Sequence, residues 1–213
     1  GHGDRGIAVI DEDKKVWIDE MTFDGAVTIE GVGSLNISQI NRDRDANQLV
    51  FFNDYSAATR SGDTGIEVFI KLASGQTWSV NRDVECEVVS IIKDKGANAI
   101  PKGQAVLSAE GTSRVFLENL AIGSKVKVRQ GVYTATDNLR PFVTQILAGN
   151  ALVMKDGVLT DRNTNEAYNS QLYPRTGIGA SADGKKLTLI VIDKAGSSVG
   201  ATTETMCEIL KAA

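Results

Sequence analysis

The chain has 213 residues, with 27 Asp and Glu against 23 Lys and Arg, a formal charge of -4, one histidine and two cysteines. That length can bury a real core. The acidic balance gives no field that would draw the chain to nucleic acid or an anionic membrane, and no apolar run is long enough for a membrane helix. His2, Cys86 and Cys207 are too few for a multi-residue Cys/His metal site or a Ser-His-Asp triad. Acid-base chemistry therefore falls to carboxylates, Lys, Tyr or a metal held through oxygen. Two cysteines so far apart in sequence leave their pairing open. The opening Gly1-His2-Gly3 has the form of a processed or engineered start, not of a signal peptide.

In chain order, Ile7–Ile10 and Val16–Asp19 flank the turn Asp11–Lys14 and form a hairpin. Ala26–Glu30 alternates as a strand, and the charged run Asn41–Asp45 is a solvated loop. Gln48–Phe52 and Gly65–Lys71 are strands, and alternation places Glu67 on the open side of the second. Trp78–Val80, Cys86–Ile92 and Gln104–Ser108 continue the strand pattern, and Ser113–Ile122 forms a short helix. Lys125–Arg129 alternates charge with Val, as an edge strand protected by its charges does. Val143–Ala148 has the length of a short helix ended by Gly149. Ala151–Met154 starts another hairpin, and Asp161–Gln171 is a polar surface loop.

The last third carries the densest signals. Pro174 keeps Tyr173 extended, and Gly177 and Gly179 let backbone approach a ligand closely. Asp183-Gly184 is a hairpin turn. Leu187–Ile192 is apolar except for Thr188, which suits a strand buried on both faces. It ends on Asp193 before a Gly/Ser loop, a common way to position a polar group; the plainer alternative is a carboxylate capping that loop. The tail from Thr202 is a helix with Met206, Ile209 and Leu210 on one side. The fold class is α+β, a β-rich mixed sheet with few short helices and a β-rich insertion.

The order of segments resembles the phosphodiester glycosidase family. Leu147–Gly157 is similar to its glycine-rich segment and following hairpin. Pro174-Arg-Thr-Gly-Ile-Gly179 is close to its proline-arginine-threonine-alanine-isoleucine-glycine signature. Asp183–Lys185, the strand to Asp193 and Ser198–Thr202 follow in the family's order. Asn41–Arg44, Gly65–Val68 and Ile100–Ser108 resemble an insertion found in many bacterial members, which implies a core of residues 1–24 and 131–213 with an insertion of 25–130. Three departures accompany the likeness. An asparagine-glycine-glycine-phenylalanine-phenylalanine motif and an aspartate-glycine-glycine-glycine-serine strand end would lie beyond the two ends of this chain, as in a fragment. Lys194 also stands where the family usually has Gly.

The resemblance implies hydrolysis of a sugar-1-phosphodiester, such as an N-acetylglucosamine-1-phosphodiester, with Arg175 and Asp193 as catalytic residues. Arg175 would bind the phosphate with its fork of donors, and Asp193 would serve as acid-base group or hold a cation through oxygen. Thr176, Gly177 and Ser198 would contact substrate. The expected partner is a sugar-phosphodiester or glycan, and the expected location is secreted, periplasmic or at the cell surface. No metal ligand is assigned, although a divalent cation such as calcium remains compatible with oxygen donors. The alternative is a non-catalytic carbohydrate or cell-surface binding protein on the same fold, which Lys194 in place of Gly favours. Arg42, Arg44 and Arg60 are expected to be loop charges, and Trp17 and Trp78 core residues.

Overall fold

The computed structural model describes residues 5–134, 143–161 and 167–213. The strands are β1 (Arg5–Asp11), β2 (Val16–Ile29), β3 (Gly33–Ile37), β4 (Gln39–Ile40), β5 (Leu49–Asn53), β6 (Ile66–Leu72) and β7 (Asp83–Lys93). They continue with β8 (Gln104–Ala109), β9 (Lys125–Thr134), β10 (Val143–Ala148), β11 (Met154–Lys155), β12 (Val158–Leu159), β13 (Arg175–Ala180) and β14 (Leu187–Ile192). Among the described residues the helices are α1 (Thr112–Leu117) and α2 (Thr203–Ala212), with a 3-10 turn at Ala167–Ser170. Strand dominates, as the fold class read from sequence requires. The chain divides into two compact units, one of Phe23–Val132 and one of the described residues of His2–Thr22 and Tyr133–Ala213.

In the first unit the strand order is β2-β9-β7-β6-β8-β5-β4, with β3 also on β2. The β4–β5 pair is parallel, and the other described pairs in this unit are antiparallel. β5, β6 and β8 bury both faces. Phe51, Val68, Ile70 and Leu107 join the main core on one side, while Val50, Phe52, Phe69 and Val106 form a second cluster on the other. Their near-continuous apolar runs follow from this, because neither face meets water. Trp78 stacks edge-on against Phe51, with ring centroids 5.5 Å apart.

Several sequence expectations change here. β9 is not an edge strand, since it lies between β2 and β7. Its Val126 and Val128 are buried and its Lys125, Lys127 and Arg129 exposed, so the charges mark the wet face of an interior strand. Trp78–Ser79 is loop, and Val80 makes only an isolated bridge. Glu67 is buried (1% exposed), and so is Arg44 (8%), which sequence placed in a solvated loop. The loops around Ser61 and Asn98 reach Glu67: Ser61 Oγ donates to it, as do Asn98 Nδ2 (2.7 Å) and Ser108 Oγ (3.3 Å). Arg44 in turn donates to Ser108 Oγ (2.7 Å) and to the Thr64 carbonyl, and lies 3.4 Å from Glu110. Polar groups so deeply buried persist only when hydrogen-bonded in this way.

In the second unit β1 pairs with the first half of β2 and with β10. Val143–Ala148 is therefore a strand, not a helix. Its β-branched residues and five pairings to β1 outweigh its helical length. β11 and β12 form a hairpin whose two turn residues, Asp156 and Gly157, both have positive φ, as a type I′ turn demands. β13 and β14 form a separate antiparallel pair against α2. Thr202 caps α2 by accepting from the Thr205 amide at 3.1 Å. Met206 and Cys207 are its buried apolar side chains, and Ile209 is exposed, contrary to the face read from sequence. Of the loop expected at Asp161–Gln171, residues 162–166 lie outside the described residues, as does Gly1–Asp4.

Candidate functional site

The β13–β14 hairpin positions the predicted residues. Its register pairs Arg175 with Ile192 and Ala180 with Leu187. At its closed end the Asp183 carboxyl is held below the usual range, chiefly by the Ser181 hydroxyl and then by the Lys185 amide. The Gly184 carbonyl accepts from the Val16 amide at 2.8 Å, which ties the turn to the start of β2. Asp183 is thus a turn residue. At the open end Tyr173 and Ala201 exchange backbone hydrogen bonds of 3.1 and 2.9 Å. Gly200, at φ 79, permits this approach, since a Cβ there would stand 2.7 Å from the Tyr173 carbonyl oxygen.

Strand alternation sorts the side chains. Arg175, Gly177 and Gly179 share the face turned to α2 with Ile190 and Ile192. A Cβ on Gly177 would meet Met206 Sδ at 2.7 Å and one on Gly179 would meet Leu210 at 3.2 Å. The two glycines are explained by helix packing on that face. The opposite face carries Leu187, Leu189 and Val191, all exposed. β14 is therefore buried on one side only, and its unbroken apolar run misled the sequence reading.

Arg175 is held on three sides. Nε donates to the Ala201 carbonyl (3.0 Å), and Nη2 donates to those of Gln171 (2.9 Å) and Tyr168 (2.6 Å). The guanidinium carbon lies 5.7 Å from the Tyr168 ring centroid and 5.5 Å from that of Tyr173, both within cation–π range. Among the described residues no carboxylate pairs with it, and Nη1 has no partner.

Arg175, Thr176 and Gly177 line a cleft of about 360 Å³ with Tyr168, Asn150 and Met206. Asp193 and Ser198 are not on that lining, and among the described residues no Asp or Glu is. Asp193 follows Ile192, the partner of Arg175, so alternation turns it to the other side of the hairpin. It is exposed, and its carboxylate accepts from the Lys194 amide at 2.7 Å. Ser198 Oγ donates to the Asp193 carbonyl and accepts weakly from the Gly200 amide (3.5 Å), closing the loop between them.

Sequence reasoning did not single out Tyr168, in the segment read as a polar loop, or Asn150, within the glycine-rich Leu147–Gly157 segment. Two tyrosines at 168 and 173, shortly before an arginine, were the available signal. Among the described residues there is no group of three acidic, His or Cys side chains able to hold a metal, and no helix is long and apolar enough to cross a membrane. Cys86 and Cys207 are buried free thiols.

A family model described as phosphodiester glycosidase matches residues 75–213. The fold is similar to a crystal structure of a candidate exported protein from Burkholderia pseudomallei K96243, at TM-score 0.64 and 14% identity, covering 99% of this chain and 50% of that one. It is also similar to a hypothetical protein from Synechocystis, at TM-score 0.64 and 14% identity, covering 98% of this chain and 37% of that one. The chain thus spans half or less of the length of these two proteins. No curated protein matches it.

Proposed function

The chain belongs to the phosphodiester glycosidase family, and on that premise we propose that it hydrolyses the sugar–phosphate bond of a sugar-1-phosphodiester, such as an N-acetylglucosamine-1-phosphodiester, at the open end of the β13–β14 hairpin. The observation that carries this reading is the state of Arg175. Three neutral carbonyls and two rings fix its position without neutralising its charge, and Nη1 stays available. A preorganised cation of this kind costs little to reorganise when an anion arrives.

In the reaction, water attacks the anomeric carbon, the carbon–oxygen bond to phosphate breaks, and a phosphate monoester leaves. The departing group gains negative charge as that bond breaks. Arg175 Nη1, facing its non-bridging oxygens, stabilises the transition state more than the ground state. Asp193 is the proposed group that takes the proton from water, which requires a substrate that spans the hairpin mouth from the Arg175 face to the Asp193 face. Thr176, the Gly177 backbone and Ser198 are proposed substrate contacts. The described residues hold no group of three His, Cys, Asp or Glu side chains for a cation such as calcium. We place the protein outside the cytoplasm, in line with the description of the Burkholderia protein as exported.

A second reading, a binder of sugar phosphates or glycans without turnover, is favoured by the absence of Asp and Glu among the described residues that line the cleft. The deciding assay measures free sugar released from a panel of sugar-1-phosphodiesters by the full gene product containing this chain, with Arg175→Ala and Asp193→Asn alongside. Turnover abolished by both substitutions in folded protein supports the enzyme. Binding lost in Arg175→Ala without any turnover supports the binder, and neither activity rejects both.

A further inference from the structure

We propose that Lys194 is a second anion contact beside Arg175, selecting substrates whose group beyond the phosphate carries a further negative charge. The proposal rests on the sugar-phosphodiester reading and narrows its substrate class.

Continuing the hairpin register two pairs past Arg175 and Ile192 sets Tyr173 opposite Lys194, on the same face as Arg175. The side chains agree with that placement. Lys194 Nζ lies 5.4 Å from the Tyr173 ring centroid, and the Arg175 guanidinium carbon lies 5.5 Å from it. One ring therefore seats two cations. Lys194 Nζ also donates to the Leu172 carbonyl at 2.7 Å, which fixes a side chain that would otherwise sample many rotamers and leaves it two N–H donors.

Neither cation has a carboxylate partner among the described residues. The nearest in sequence, Asp193, is turned to the other face and takes the Lys194 backbone amide. Two cations without a carboxylate partner among the described residues thus border the same ring, and each attracts an anion. A phosphodiester brings a single negative charge, which Arg175 alone can match. The second cation is complementary to a substrate with another anionic group, a carboxylate or a further phosphate, close to the diester.

The test compares two sugar-1-phosphodiesters of the same sugar, one with a neutral alkyl group and one with a carboxyalkyl group of the same length. The proteins are the wild-type full gene product, Lys194→Gln and Lys194→Arg. Gln keeps a donor for Leu172 and removes the charge. The expected result is that Lys194→Gln lowers kcat/KM about three- to tenfold more for the charged substrate than for the neutral one, and that Lys194→Arg restores the preference. The preference should also shrink with added salt. Equal effects of Lys194→Gln on the two substrates overturn the inference while leaving the glycosidase reading intact. If neither substrate turns over, calorimetry with inorganic pyrophosphate and inorganic phosphate decides. Pyrophosphate binding weakened selectively by Lys194→Gln supports the site. Unchanged or absent binding overturns it.

Discussion

Replacing Glu67 with Ala should be among the most damaging single changes in the first unit. Its carboxylate accepts from Ser61, Asn98 and Ser108, and Ser108 passes the connection on to Arg44. A hydrogen bond to a charged group contributes about 1.5–3 kcal/mol, but three that share one carboxylate are not additive. Among the described residues, removing the anion also leaves Arg44, whose side chain is 1% exposed, with the 31%-exposed Glu110 at 3.4 Å as its one acidic partner. Breaking one side of a buried charged arrangement costs about 3–5 kcal/mol, a large part of the roughly 5–15 kcal/mol that holds a domain together. We expect a loss of about 3–5 kcal/mol in urea unfolding. Fluorescence of Trp78, packed on Phe51, would follow it in a Trp17→Phe background. Arg44→Met combined with Glu67→Ala should lose at least about 1 kcal/mol less than the two single losses together. A Glu67→Ala loss under about 1 kcal/mol, or strict additivity, would refute the idea of a coupled network.

Gly177→Ala should destabilise the second unit by about 1–3 kcal/mol, because its methyl would press on Met206 Sδ and Ile190; thermal unfolding with and without Met206→Ala checks whether that contact is the cause. Thr202→Ala should cost about 1 kcal/mol and speed hydrogen exchange at the Thr205 amide, which the Thr202 hydroxyl now accepts from. Burial, reinforced by Glu85, pushes the Cys86 thiol from 9.0 up to about 12. The unfolded thiol then ionises first as pH rises, so stability should fall between about pH 9 and 12, by at most about 1.4 kcal/mol per pH unit. Cys86→Ala should flatten that slope in denaturation curves. An unchanged slope would place its origin elsewhere.

The strands of the first unit were legible because their sequences report burial directly. Leu49–Phe52 and Val68–Ile70 are apolar on consecutive residues since both faces are covered. The same rule failed at β14, whose composition is equally apolar while Leu189 and Val191 face solvent. A run of apolar residues records what a strand tolerates and cannot say which neighbour covers it. Glu67 and Arg44 were misplaced for a related reason. Alternation along one strand sees neither the loops that fold over it nor the serine that links the two side chains. Arg175 stood out in sequence only through its motif, and its tyrosine and carbonyl supports come from residues 168, 171, 173 and 201, a constellation that only tertiary structure assembles. The separation of Arg175 from Asp193 was also hidden. Eighteen residues apart in sequence, they become neighbours across the hairpin mouth, and the pleat then turns them to opposite faces.

The proposed reaction breaks a sugar–phosphate link on the sugar side. Turnover of a sugar-1-phosphodiester in water enriched in oxygen-18, followed by mass spectrometry of both products, tests it most directly. Attack at the anomeric carbon puts the label in the released sugar and none in the phosphate monoester, with turnover lost in Arg175→Ala. Label in the phosphate product would identify attack at phosphorus and contradict the glycosidase reading.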